Sequence, residues 1–113
     1  MKGAYLGEFE EVVMLTVAIL HENAYGVGIK KEIELRLNRK VSVGALQSAL
    51  KRLTDKGFLE HRDAQPSPER AGRPKRFYTL TNFGKQAIQY AHESRNALWK
   101  AIPSAVLKAN SHG

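Results

Sequence analysis

Four polar residues within six positions, Gln47, Ser48, Lys51 and Arg52, follow the small pair Gly44 and Ala45, and Ser42 opens the segment. Amides and hydroxyls hydrogen-bond to base edges or phosphates, while lysine and arginine neutralise phosphate, so this set suits a polyanion better than a reacting substrate. A second cationic group, Arg70, Arg73, Lys75 and Arg76, lies some twenty residues downstream. The chemistry suggested is binding of nucleic acid.

The charge balance points the same way. The 113 residues carry a net charge of +7, and the stretch from Arg36 to Arg76 holds eleven basic residues against four acids, which is the whole excess. One sign concentrated in one segment suits a polyanionic partner, although a solvated basic surface reads equally well from charge alone. Reaction chemistry lacks its groups. His21, His61, His92 and His112 are scattered with no H-x-x-x-H pair, there is no cysteine, and neither a nucleophile elbow nor a phosphate loop occurs. We expect no enzymatic activity, no metal and no cofactor.

These residues need positioning elements, and the apolar pattern supplies them. Glu8 to His21, free of Gly and Pro, reads as a first helix whose apolar residues wrap nearly the whole circumference, as in a helix covered on two sides. After a break from Asn23 to Gly28, Ile29, Ile33 and Leu37 recur at four-residue spacing and define a second, amphipathic helix. Gly26 and Gly28 allow close approach of a backbone or a phosphate, or mark a plain junction. Ser42 is the expected cap of a third helix with its stripe at Val43, Leu46, Leu50 and Leu53 and its stop at Gly57. Phe58 to Asp63 and Lys75 to Leu80 read as a hairpin whose long basic tip contains Pro66, Pro68, Gly72 and Pro74. Thr81 caps a last helix that runs towards Ile102, with Pro103 as its limit.

The predicted fold is mostly α with a small β-hairpin: a winged helix-turn-helix domain over residues 1–80, then a C-terminal dimerisation helix and tail over 81–113, forming one structural unit. In such an arrangement the third helix enters the major groove of double-stranded DNA and the wing adds contacts beside it. Tyr25 either joins the core or sets its hydroxyl on a phosphate. On the last helix Ala87, Tyr90, Ala91, Ser94, Leu98 and Ile102 recur mostly at alternating three- and four-residue steps, a seam that calls for a partner helix. With Trp99, and with Phe9 and Val13 from the first helix, they are the expected homodimer interface. Trp99 either fills that interface or stacks on a planar effector. The longest apolar run, Val12 to Leu20, is too short to span a bilayer and lacks a basic leader, so a cytoplasmic protein with no membrane partner is expected.

Several stretches are similar to the PadR family of regulators: Leu6-Gly7-Glu8-Phe9-Glu10, Ala24-Tyr25-Gly26-Val27, Ser42-Val43-Gly44-Ala45 with Leu50 and Arg52-Leu53, Gly72-Arg73-Pro74-Lys75-Arg76-Phe77-Tyr78, and Leu80-Thr81-Asn82-Phe83-Gly84. The resemblance spans roughly residues 6 to 91. It implies a bacterial repressor that dimerises through the C-terminal helix and helix 1 on an inverted-repeat operator; some members release DNA on binding a small hydrophobic effector. Where the family has a tyrosine in the middle of the recognition helix, this chain has Gln47, which can read adenine in a bidentate fashion. The competing function is a winged-helix interaction module whose basic face meets an acidic protein. Loading of cations on both helix 3 and the wing favours DNA over it, and the missing aromatic platform makes RNA a third option.

Overall fold

The computed structural model describes residues 6–65 and 75–109. Its elements run α1 (Glu8–Leu20), a single 3-10 turn (His21–Asn23), α2 (Gly26–Leu37), α3 (Val43–Asp55), β1 (Leu59–Asp63), β2 (Arg76–Leu80), α4 (Asn82–Ala101) and a short α5 (Ser104–Leu107). This is the expected order of three helices, hairpin and helix. The short α5, beyond Pro103, is an addition to the elements expected from sequence.

The core is built where the apolar stripes meet. Val13, Met14 and Val17 of α1, Ile29 and Ile33 of α2, and Leu46, Ala49, Leu50 and Leu53 of α3 are all buried together with Phe58, Leu59, Tyr78 and Ala87. Leu37 and Val43, placed by spacing on the inward stripes, are instead exposed. Both sit at the helix-turn-helix turn, Leu37 as the last residue of α2 and Val43 as the first of α3. Val41 fills the turn from within. On α1 the chain covers one side only: Leu15 and Ile19 remain exposed.

Local capping fixes the boundaries. The Ser42 hydroxyl accepts the Ala45 N–H at 3.1 Å, and the Thr81 hydroxyl accepts the Gly84 N–H at 2.9 Å, each satisfying one of the donors a helix start leaves unpaired. Asn38 closes α2 in the left-handed region, and Gly57, at φ 81°, makes the turn from α3 into the sheet. Strands β1 and β2 pair antiparallel with Leu59 opposite Leu80 and Asp63 opposite Arg76. The sheet continues sideways: the Tyr78 N–H donates to the Ala24 carbonyl at 2.8 Å and Tyr25 bridges Phe77, so the wing is stitched to the start of α2.

The break expected from Asn23 to Gly28 is shorter than the sequence suggested. Helix α2 already starts at Gly26, so both glycines lie in its first turn. Their need is steric. A Cβ at Gly28 would press on the Tyr25 ring at 3.1 Å, and one at Gly26 would meet the Gln47 amide at 3.3 Å. The close approach read from these glycines is therefore made by side chains of the same chain.

Candidate nucleic-acid interface

Helix α3 turns Leu46, Ala49, Leu50 and Leu53 inward and leaves Gly44, Ala45, Gln47, Ser48, Lys51 and Arg52 exposed. Gly44 has open space around an added Cβ, so no packing within the chain requires glycine there. Gln47 and Lys51 share with Thr54, Asp55, His61, Arg76 and Tyr78 a cleft of about 410 Å³ between α3 and the hairpin. The polar face of the third helix and the root of the wing thus border one recess.

The wing root is built on aromatic rings. Lys75 Nζ stands 3.6 Å from the centroid of Tyr25, Arg62 lies 4.7 Å over Phe77, and the two rings meet edge to face at 5.8 Å. Cations held on ring faces are constrained in position, a contact worth about 0.5–1 kcal/mol at exposed sites. Tyr25 is half-buried and serves as the bed for Lys75, a role between the two read for it from sequence. Arg70 and Arg73 lie outside the described residues.

Most of the other expected cations have carboxylate partners. Lys51 pairs with Asp55 at 2.9 Å and Arg76 with Asp63 at 2.9 Å. The Arg76 hydrogen bond holds the Asp63 carboxyl below its ordinary range. Arg52, read from sequence as a phosphate contact, is directed at Glu10 of α1, Nε to Oε2 at 3.3 Å. The two exposed pairs, Lys51–Asp55 and Arg76–Asp63, are weak enough for a phosphate to displace the carboxylate, whereas Glu10 is buried and holds Arg52 from inside the fold.

Glu10 is the organising residue that pattern reading missed. Its Oε1 accepts the Gly7 N–H at 2.9 Å at the start of α1, while Lys56 donates to both oxygens at 3.1 and 3.0 Å. Burial pushes its carboxyl up, yet the Gly7 N–H, Lys56 and Arg52 outweigh that and hold it below the ordinary value of 4.5. The neighbouring Glu8 reaches Arg39 at 2.9 Å, with the Arg39 guanidinium also over the Phe9 ring at 5.3 Å. The Gly7-to-Glu10 segment thereby ties α1 to the turn before α3 and to the end of α3. Inside the turn, the Val41 N–H donates to Glu34 Oε2 at 2.9 Å, and this bond, with Lys30, lowers the Glu34 carboxyl pKa. The available signal was two acids, Glu10 and Glu11, placed where α1 is otherwise apolar.

The residues expected at a homodimer interface divide. Val13 and Ala87 are enclosed by the chain's own core and offer no surface to a second copy, which corrects their assignment. The reason is that α1 and the first turns of α4 pack on each other within one chain. Phe9, Ala91 and Ile102 are partly covered, whereas Tyr90, Ser94, Leu98 and Trp99 are exposed. Leu98 and Trp99 are 72% and 61% exposed on a helix that runs on past the last turn packed against the core. Among the described residues no helix is long and apolar enough to cross a membrane, and no group of three His, Asp or Glu is disposed to hold a metal ion.

Three packed helices, a hairpin stitched to the second of them and a projecting fourth helix define a winged helix-turn-helix protein. Residues 14–90 match the Transcriptional regulator PadR-like family, and the chain belongs to that family. No curated protein matches it. Among solved structures it is similar to a PadR-like transcription factor from Bacteroides fragilis, at 25% identity and a TM-score of 0.69, covering 81% of this chain and 84% of that one. A PadR family transcription regulator from Clostridium difficile R20291 shares the fold at 24% identity and a TM-score of 0.64, covering 81% of this chain and 92% of that one. Bacillus subtilis PadR in complex with operator DNA aligns at 25% identity and a TM-score of 0.57, over 72% of this chain and 44% of that one.

Proposed function

We propose that this chain is a cytoplasmic, sequence-specific transcriptional repressor that binds an inverted-repeat operator as a homodimer, with α3 in the major groove and the wing beside it. The observation that carries the reading is the shared cleft, bordered by Gln47 and Lys51 from the helix and by His61 and Arg76 from the hairpin. A groove about 12 Å wide accepts a helix, and residues around that helix then reach base edges and the flanking backbone at once. Bacillus subtilis PadR, a family relative, is described in complex with operator DNA, which supports the same partner here.

Self-association is supported by α4, whose outer turns present Tyr90, Leu98 and Trp99 to solvent. Large aromatics of this kind dominate the energetics of such contacts. Release by a small hydrophobic effector belongs to the same proposal, with Trp99 as its reporter: quenching of its fluorescence by an aromatic ligand supports it, and no response across a broad panel removes it.

The deciding experiment is binding to generic duplex DNA at rising salt, with the mass of the free protein measured in parallel. Phosphate contacts release counterions, so affinity falls with a log–log slope of about −0.9 per contact. A salt-independent response overturns the DNA reading in favour of an acidic protein partner, and a monomer at all concentrations removes the dimer.

A further inference from the structure

Helix α4 is held to the body of the chain at two places. The first is its opening two turns, where Gly84 lies against the Phe58 carbonyl and Ala87 and Ile88 pack on the core. The second lies near the middle of the exposed stretch. Arg95 Nη1 stands 2.7 Å from Glu11 Oε1 of α1, and the two side chains are 58% and 10% exposed. That Glu11 oxygen is buried and has no hydrogen-bond partner, so the ion pair with Arg95 answers it through charge alone.

Such a pair is a poor source of stability. Removing a carboxylate from water costs several kcal/mol, and the attraction of a single half-exposed arginine barely offsets it. What the pair does supply is direction. A helix anchored at one end pivots, and a helix anchored at Gly84 and again at Arg95, about 16 Å further along, has a fixed heading.

We propose that the Glu11–Arg95 pair sets the heading of α4 and, through the dimer formed by α4, the operator half-site spacing that the protein accepts. The inference rests on the function proposed above. The lever arm makes it sensitive: from Gly84 to Trp99 is about 22 Å of helix, so a swing of about 10° moves the far end by about 4 Å. That exceeds the ~3.4 Å between successive base pairs. In a symmetric dimer both α3 helices shift with the swing, and half-site separation follows directly from dimer geometry. Arg95 is a positioning residue, since it lies on α4 and takes no part in the α3 and wing face.

The test measures affinity for a set of inverted repeats whose spacer varies one base pair at a time, using the intact chain, Arg95→Ala, Glu11→Gln and Arg95→Lys. Glu11→Gln removes the charge without stranding a buried carboxylate, and thermal unfolding of each variant separates heading from stability. The intact protein loses about tenfold or more in affinity when the preferred spacer changes by one base pair. Arg95→Ala and Glu11→Gln bind generic duplex as tightly as the intact chain and reduce that penalty to about twofold, while Arg95→Lys restores it. A spacer profile unchanged in both Arg95→Ala and Glu11→Gln, or no spacer preference in the intact protein, overturns the inference. An intact chain that binds no duplex at all sinks instead the function on which it rests.

Discussion

The backbone of Gly84 lies so close to the carbonyl of Phe58 that a methyl group at this position would overlap the oxygen, with the Met14 Cε methyl at 3.2 Å on the same side. Neither a carbonyl at the sheet entrance nor a buried methionine can retreat cheaply. Gly84→Ala is therefore expected to destabilise by about 3 kcal/mol, at the upper end of overpacking effects. Chemical denaturation checks this; a variant within 0.5 kcal/mol of the parent, roughly the scatter of ordinary surface substitutions, would show that α4 can shift.

Gly44 is the opposite case. It lies in the first turn of α3 with nothing near an added Cβ, and glycine inside a helix costs about 1 kcal/mol relative to alanine. Gly44→Ala should stabilise the fold by up to about that amount and at the same time weaken duplex binding. Paired melting and binding curves test it, and a stabilised variant with undiminished affinity would mean that no DNA backbone approaches this turn.

The Gln47 amide lies 3.3 Å from where a Cβ on Gly26 would stand, and Gln47 also lines the cleft. Replacement by alanine is expected to cost about 1–3 kcal/mol of discrimination at an adenine of the operator. Competition between matched and singly substituted operators measures this. Full operator preference in Gln47→Ala would leave Gln47 as a packing residue alone.

Acid sensitivity follows from Glu10, Glu34 and Asp63, whose carboxyls are all held below their ordinary values, which are 4.5 for the two glutamates and 3.8 for Asp63. A carboxyl depressed in the folded state contributes stability that is fully present above its unfolded value and disappears as pH falls through the folded one. Stability should be level from neutrality down to about pH 5 and then drop. Glu10→Gln is expected to lower stability at pH 7 and to flatten part of the acid limb. An acid limb of unchanged steepness in that variant would assign the loss to the other carboxyls.

What could be read from sequence divides by the range of the interaction. Ser42, Thr81 and Gly57 act on atoms within three residues or on their own dihedrals, and their roles as caps and stop were legible directly. Glu10 acts on Arg52 and Lys56 across 42 and 46 residues, and no periodicity carries such a pairing. For that reason Arg52 read as free for phosphate when it is engaged with α1. Val13 and Ala87 failed for a related reason: an apolar face, whether all round α1 or along the seam of α4, announces that it will be covered, but not whether its own chain or another does the covering. The polar face of α3 was legible because it is simply what an inward stripe leaves over.

The carboxylates beside Lys51, Arg52 and Arg76 have a kinetic consequence. On the DNA-binding function proposed above, each of these cations parts from an acid of its own chain when it takes a phosphate, which offsets part of the gain from counterion release. Indiscriminate adhesion to arbitrary sequence is then weaker than the count of lysines and arginines implies, while a correct site, which adds base contacts, still compensates for the exchange. On that same proposal, a searcher with this surface lets go of wrong addresses quickly, and its residence time becomes a property of the letters it reads.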